Sequence, residues 1–497
     1  MKEYERLFVG GEWVVPRGTG TIDVVNPATE ELVGRVPEAT AADVDAAVAA
    51  ARRAFDDGPW PRMAPKDRAA VVKKVADLIN AEMQGLAELI SAEVGSPVSW
   101  GTVAQVMAPA MILDYYASMA SSFPFDQARQ GLMGEVLVVK EPVGVVGAIT
   151  PWNVPMFLAA AKLGPALVAG CTVVLKPAPE SPLDANRLAE LFMEAGLPEG
   201  VLSVVPAGRE VGEHLVTHPG VDKISFTGST AAGKRIGMLC GERLKRVSLE
   251  LGGKSAAVIL DDADLGTLLP ALMPNAIMNN GEACIAQTRI LAPRSRYQEV
   301  VDAVAQATAS LHVGDPLDPS TDVGPLVAER QRDRVEGYIR SGLDDGAQIV
   351  TGGGRPASRV RGWYVEPTVF SGVDNGMRIA QEEIFGPVLV VIPFDDDADA
   401  VRIANDSRYG LCGSVWTADA ARGLAVARGV RTGTYMVNSS IPVDYTAPFG
   451  GFKESGIGRE FGTEGMELFC EVKSVIFGPG ISSTEIGAPP VVQTSAG

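Results

Sequence analysis

Two short stretches carry side chains that could do chemistry together. In Ser248-Leu249-Glu250-Leu251-Gly252-Gly253-Lys254-Ser255, one carboxylate stands between apolar neighbours, is followed by a glycine pair, and precedes the strand-like run from Ala256 to Leu260. Desolvation in such company raises a carboxylate's pKa toward the range where it takes and returns protons near neutrality. In Asn279-Asn280-Gly281-Glu282-Ala283-Cys284-Ile285-Ala286-Gln287-Thr288-Arg289, a cysteine sits in a polar, glycine-containing turn that runs into Ile290 and Leu291. A thiol placed there can be partly exposed, and a polar turn can lower its pKa enough to make it a nucleophile. A lone cysteine is more often an inert filler of the core. The carboxylate beside it in the chain order is what points to catalysis.

The two stretches resemble the active-site signatures of the aldehyde dehydrogenase family: a glutamate in Glu-Leu-Gly-Gly-Lys, then a cysteine followed by Ala-x-Thr-Arg, in that order and at the family's separation. The resemblance implies that Cys284 is the nucleophile and Glu250 the base that activates water to hydrolyse a thioester. Asn153, between two prolines in Pro151-Trp152-Asn153-Val154-Pro155, would donate to an oxyanion. It also implies NAD as cofactor, with NADP as the alternative, bound by Ile149, Thr150, Pro151, Trp152, Lys176, Glu180, Gly208, Gly212, Phe226, Thr227, Gly228, Ser229, Leu251, Glu383 and Phe385. Within that set Lys176 matches the lysine that binds the adenosine ribose, and Ser229, at a helix start, can reach the pyrophosphate. Glu383 and Phe385, in Glu383-Ile384-Phe385-Gly386-Pro387, match the groups that meet the nicotinamide ribose and the nicotinamide. One departure stands out: Pro179 occupies the place where many NAD-using members have glutamate, and Glu180 follows one position later.

Positions matching the family's aldehyde tunnel are Val154, Phe157, Leu158, Ala161, Met278, Ile285, Ile441, Val443 and Phe449. None is charged, so the expected substrate is an apolar aliphatic, terpenoid or aromatic aldehyde, since a carboxylate-bearing semialdehyde would want Arg or Lys there. Relatives that pass the acyl group to coenzyme A generally lack the glutamate, and a non-catalytic relative would tolerate loss of Cys284 or Glu250; both residues are present. Gly228 to Lys234 tempts a phosphate-loop reading, but that motif needs Ser or Thr next and Arg235 stands there. His214 and His218 lie four apart without a third ligand, so no metal is expected.

The elements that must position these groups read as α/β. From Val143 onward, buried strands alternate with helices, which argues for a doubly wound parallel sheet with ligands beyond the strands' carboxyl ends. The expected organisation is a dinucleotide-binding domain (1–122 and 142–252), a second α/β catalytic domain (253–453), a small β oligomerisation arm (123–141 and 470–478) and a mobile tail (479–497). Single helices are expected over Thr40 to Ala54, with Thr40 as cap, over Lys66 to Ala92, and over Ser99 to Ser121. The family resemblance implies a homodimer or homotetramer, the arm pairing with a neighbour.

A net charge of −18 argues against nucleic acid and against anionic membrane surfaces. Five scattered cysteines and an acidic N-terminal start point to a reducing, cytoplasmic setting. The most apolar stretch, Met156 to Val174, is broken by Lys162, Gly164 and Pro165, so no membrane span is expected.

Overall fold

The computed structural model describes residues 2–478 and 481; the tail expected to be mobile lies outside them apart from Ile481. Two large sheets organise the chain. In the first, the parallel strands Arg246–Glu250, Lys223–Thr227, Val145–Ile149, Thr172–Lys176 and Leu202–Val204 lie side by side in that order. Antiparallel strands extend it: Gly456–Ile457 beside Arg246–Glu250, and Leu7–Val9 with Glu12–Val14 at the other edge. The chain enters at the central strand Val145–Ile149, winds outward to Leu202–Val204, then crosses back to Lys223–Thr227. That reversal creates a crevice at the carboxyl ends of Val145–Ile149 and Lys223–Thr227, the place where ligands enter such sheets. Both strands are buried throughout, as covered parallel strands must be.

The second sheet has the order Gln348–Thr351, Thr368–Ser371, Val388–Phe394, Arg289–Pro293, Ala256–Ile259, Gly413–Trp416, Met436–Val437. Its two central strands bring the chemical stretches together. Glu250 ends the last parallel strand of the first sheet, and five residues of connecting chain lead into Ala256, which begins the second. Ala256 pairs with Arg289, the first strand residue after the cysteine turn. The carboxylate and the thiol therefore meet because Glu250 ends a strand of one sheet and Cys284 lies in the turn leading into a strand of the other.

Arg289 locks this junction. Its guanidinium is buried and donates from Nε to the Lys254 carbonyl (2.9 Å), from Nη1 to Asn375 Oδ1 and the Ile403 carbonyl (both 3.0 Å), and from Nη2 to the Ala404 carbonyl (3.0 Å). Burial pulls it down to about 10, still charged at neutral pH.

The helix Ala41–Asp56 begins as expected, with Thr40 and Asp43 forming a reciprocal cap. The other two expected helices differ in detail. Lys66 to Ala92 divides into Pro65–Ala81 and Met83–Val94, because Glu82 leaves helical geometry, its carboxylate accepting from Arg187 Nε (2.9 Å). Ser99 to Ser121 is helical but contains a π turn, Thr102–Met107, before Ala108–Met119. Pro109 supplies the reason: without an N–H it cannot bond the Gln105 carbonyl, so the ladder widens just ahead of it. Two three-stranded sheets complete the fold, one of Lys2–Glu3, Leu32–Pro37 and Thr21–Val25, the other of Cys470–Ile476, Glu135–Pro142 and Asp126–Gln130. Among the described residues no helix is long and apolar enough to cross a membrane.

Replacing Arg289 by Met strands four buried acceptors. The expected loss is about 3 kcal/mol of unfolding free energy, read as a lowered denaturant midpoint, whereas Arg35→Met at an exposed ion pair should shift it by less than about 1 kcal/mol.

Candidate active site

A cavity of about 630 Å³ opens between the two sheets, and Asn153, Glu250 and Cys284 all line it. The cysteine turn has an unusual backbone. Asn279 and Asn280 adopt positive φ (50° and 61°), a region asparagine tolerates better than bulkier residues. Asn280 Nδ2 donates to the carbonyls of Gly95 (3.0 Å) and Pro325 (2.9 Å), and its Oδ1 accepts from the Gly324 N–H (2.7 Å). Asn279 Nδ2 donates to the Asn153 carbonyl (2.8 Å). Asn153 Nδ2 in turn donates to the Glu282 carbonyl (2.9 Å), so the asparagine loop and the cysteine turn are tied in both directions.

Glycines set how close the stretches can come. A Cβ on Gly253 would lie 2.2 Å from the Cys284 carbonyl oxygen, and one on Gly450 would lie 2.7 Å from Glu250 Oε1. The glycine pair after Glu250 is thus a packing requirement of the cysteine turn.

Glu250 is buried, and neither carboxylate oxygen has a hydrogen-bond partner. Burial, reinforced by the nearby Glu460 carboxylate, holds it well above the usual carboxylate range, while Lys162 and Arg459 pull the other way. Glu460 is itself held by Lys162: the buried ammonium donates to Glu460 Oε1 (2.6 Å) and to Thr227 Oγ1 (2.7 Å). Glu383 accepts the Gly253 N–H (3.0 Å) and is pushed up to about 7 by burial. The Cys284 thiol is partly accessible. Its surroundings run against the expectation of a lowered pKa: burial, then the Glu383 and Glu250 carboxylates, push it upward. The Asn279 and Asn280 amides spend their donors on backbone carbonyls, and the backbone N–H of Cys284 pulls the thiol only partly back.

The positions expected to bind a dinucleotide fall into two groups. Pro151, Trp152, Thr227, Gly228, Ser229, Leu251, Glu383 and Phe385 line the cavity. Trp152 and Phe385 meet edge to face at 5.4 Å, one from each sheet's loops. Ile149, Thr150, Lys176, Glu180, Gly208, Gly212 and Phe226 lie outside that cavity, though around the same crevice. Ile149 and Lys176 end neighbouring strands, and Thr150 follows, buried. The Lys176 ammonium donates to the carbonyls of Pro177 (2.8 Å) and Ala207 (2.6 Å), and burial pulls it down to about 8. Gly208 caps the helix Arg209–Thr217, and Gly212 leaves room for the Lys176 chain, 3.4 Å from where a Cβ would stand. Phe226 packs under Gly228. Glu180 is not free: it forms an ion pair with Arg330 across from the second sheet.

Of the expected tunnel residues, Val154, Phe157, Leu158, Met278, Ile285, Val443 and Phe449 line the cavity. Two do not. Ala161 is buried on the inner face of the helix Pro155–Ala169, within the core. Ile441 is 69% exposed: its N–H bonds Ser439 Oγ (3.2 Å) in a turn that aims the side chain outward, while Ser440 and Pro442 face in. The sequence reading missed Lys162 and Glu460, although a lone lysine in an otherwise apolar helix was a signal. It also missed Gln105, whose buried amide donates to the Asn153 carbonyl (3.2 Å).

Residues 13–475 match the aldehyde dehydrogenase family. The chain is 48% identical over 474 residues to geranial dehydrogenase of Castellaniella defragrans, covering 95% of this chain and 98% of the relative. It superposes with TM-score 0.95 on a Mycobacterium tuberculosis aldehyde dehydrogenase solved with NAD+, at 52% identity over 97% of this chain and 99% of the other. A mutant of Pseudomonas syringae aldehyde dehydrogenase C solved with NAD+ and octanal gives TM-score 0.93 and 41% identity, covering 96% and 98%. This chain belongs to the aldehyde dehydrogenase family, and its reaction is the oxidation of an aldehyde.

Because Glu250 is raised above its usual 4.5 in the folded state, the fold binds the extra proton between those values and loses stability as pH rises through that window. Glu250→Gln removes the buried charge. Its melting temperature should exceed that of the parent at pH 9 and converge with it at pH 4.5; an equal difference at both, by scanning calorimetry, contradicts the burial argument.

Proposed function

We propose that this chain oxidises an apolar aldehyde to the carboxylic acid with NAD, through a thioester on Cys284 that a Glu250-activated water hydrolyses. The observation that carries the reading is a buried carboxylate with both oxygens unpartnered, facing the same cavity as a half-accessible thiol.

The residues at the crevice fit a dinucleotide. The helix Thr230–Glu242 presents its N-terminus there, capped by Ser229, whose Oγ accepts the Ala232 N–H (3.3 Å). Gly228 keeps the backbone bare, since a Cβ would meet the Phe226 ring at 2.5 Å, and Thr230 Oγ1 is buried without a partner. Such a terminus suits a pyrophosphate. Lys176 would hold the adenosine ribose, and Glu383, between Trp152 and the second sheet, the nicotinamide ribose. When bound, the oxidised dinucleotide supplies the acceptor for the substrate's hydride.

The protein's own part is proton handling and charge stabilisation. Glu250 takes the thiol proton, and the sulfur adds to the aldehyde carbon. The resulting oxyanion is stabilised by Asn153 Nδ2 and the Cys284 N–H, each such donor contributing ~10²–10³ in turnover. After oxidation to the thioester, Glu250 releases the thiol proton to solvent and, as a carboxylate again, removes a proton from water as its oxygen attacks the acyl carbon. The carbon–sulfur bond breaks, and the thiolate is regenerated with release of the acid. Glu460 keeps Glu250 basic enough for both steps.

Three variants separate these roles. Cys284→Ala should abolish NADH formation while NAD binding persists. Glu250→Gln should let an acyl adduct accumulate on the protein, visible as added intact mass after mixing with aldehyde and NAD. Asn153→Ala should lower turnover by about 10²-fold with little change in cofactor affinity. An unmodified mass in the glutamine variant together with turnover at the parent rate removes Glu250 from both proton transfers.

The cavity's lining includes Trp100, Val103, Met107, Phe157, Leu158 and Val443, an apolar set that supports an aliphatic, terpenoid or aromatic substrate. A panel assayed with NAD and NADP should give kcat/KM at least about tenfold higher for octanal or citral than for succinic semialdehyde. Equal values overturn the apolar assignment.

A further inference from the structure

A loop asparagine donates usefully to an oxyanion only if its amide already stands where the charge develops, because a donor that must reorganise loses most of its advantage. What holds Asn153 is therefore part of the chemistry. The residue lies between the strand Val145–Ile149 and the helix Pro155–Ala169, in neither element's ladder, and among the described residues no backbone N–H bonds its carbonyl. The helix starts too late to use it: the Leu158 N–H bonds the Val154 carbonyl instead (3.0 Å).

Two side-chain amides take that place. Asn279 Nδ2 (2.8 Å) and Gln105 Nε2 (3.2 Å) both donate to the Asn153 carbonyl, the first from the cysteine turn and the second from the π turn Thr102–Met107. One donor is enough to satisfy a carbonyl, and Asn279 already supplies the shorter bond. Gln105 is surplus to that need. It is also a destabilising choice, since it is fully buried in the apolar run Val103-Ala104-Gln105-Val106-Met107 with its Oε1 unpartnered, as is Asn279 Oδ1. Methionine or leucine would fill the same space without a stranded acceptor, so two amides kept at this point have a use beyond filling it.

Geometry supplies the use. A single donor lets a peptide unit rock about the bond, whereas two donors arriving from separate elements fix its plane. The side chain is tied as well: Asn153 Nδ2 donates to the Glu282 carbonyl (2.9 Å), which spends one N–H of the amide and leaves the second for the cavity that Asn153 lines. Gln105 does not line that cavity.

We propose that Gln105 is a positioning residue for the oxyanion donor: by donating to the Asn153 carbonyl it holds the loop in the register that lets Asn153 Nδ2 meet the developing charge. The proposal rests on the oxyanion role read above for Asn153. Its effect falls on the chemical step and not on cofactor binding.

The test is a double-mutant cycle between Asn153→Ala and Gln105→Met, which keeps length and burial but removes the donor. The rate read is that of the first NADH turnover after rapid mixing with octanal and NAD, so that product release does not mask the chemical step. Gln105→Met alone should slow it about tenfold, with NAD affinity by titration calorimetry unchanged. In the Asn153→Ala background the same substitution should slow it by less than about twofold, since there is no amide left to orient. Equal losses in both backgrounds, or the parent rate in Gln105→Met, overturn the positioning role while the oxyanion reading stands; Asn153→Ala at the parent rate overturns both. Gln105→Glu adds a readout that packing alone would not move. Its carboxyl donates only when protonated, so the ratio of its rate to the parent's should fall about tenfold from pH 6 to pH 9, and a level ratio overturns the donor argument. Should Gln105→Met fail to fold, the cycle run with Gln105→Glu at pH 9 decides on the same terms.

Discussion

The structure depends on one unfavourable arrangement: a carboxylate taken out of water without a partner. Glu250 ends a buried parallel strand, its carboxylate accepts no hydrogen bond, and a second carboxylate, Glu460, lies nearby. An isolated buried charge costs several kcal/mol, so burial raises the group's pKa above the usual carboxylate range. What tolerates this cost is the rigidity around it. Gly228 donates to the Glu250 carbonyl (3.0 Å), Leu251 donates to Ser455 (2.9 Å), and Lys162 offsets Glu460 from the far side. The chain then crosses at once into the second sheet, where Arg289 fixes the Lys254 carbonyl.

The raised thiol follows from the same arrangement. Glu250 and Glu383 both face Cys284 closely enough to disfavour a thiolate, so sulfur and carboxylates share a limited supply of protons in one desolvated space. A permanently ionised thiol would be open to oxidation; a thiol that ionises only as a carboxylate accepts its proton is protected between turnovers.

The parts of this design differed in how far the sequence disclosed them. Glu250, Cys284 and Asn153 were legible because each lies in a stretch whose composition makes no sense as core or as surface. The strand and helix alternation after Val143 was legible from periodicity, and the cap at Thr40 from side-chain type. Other features depend on distances between elements far apart in the chain. Nothing near Glu460 announces that it meets Lys162, and nothing near Glu180 announces Arg330. Ala161 was assigned to the tunnel from position alone, but one helical step rotates a side chain from cavity to core. The π turn ahead of Pro109 is a further case, since a proline inside a helical pattern signals disturbance without saying which form it takes.

The helical run Val98–Met119 shows why amphipathic pattern alone cannot separate packing from binding. Its apolar stripe has the spacing of a helix seated on a core, and its far face is indeed seated, through Ile112, Leu113 and Tyr116. A helix that buries one face has no packing need for a second apolar stripe, yet Val103, Met107 and Met111 remain exposed. Gln105 explains why the stripe stays where it is, because its buried amide ties the π turn to the Asn153 loop at 3.2 Å.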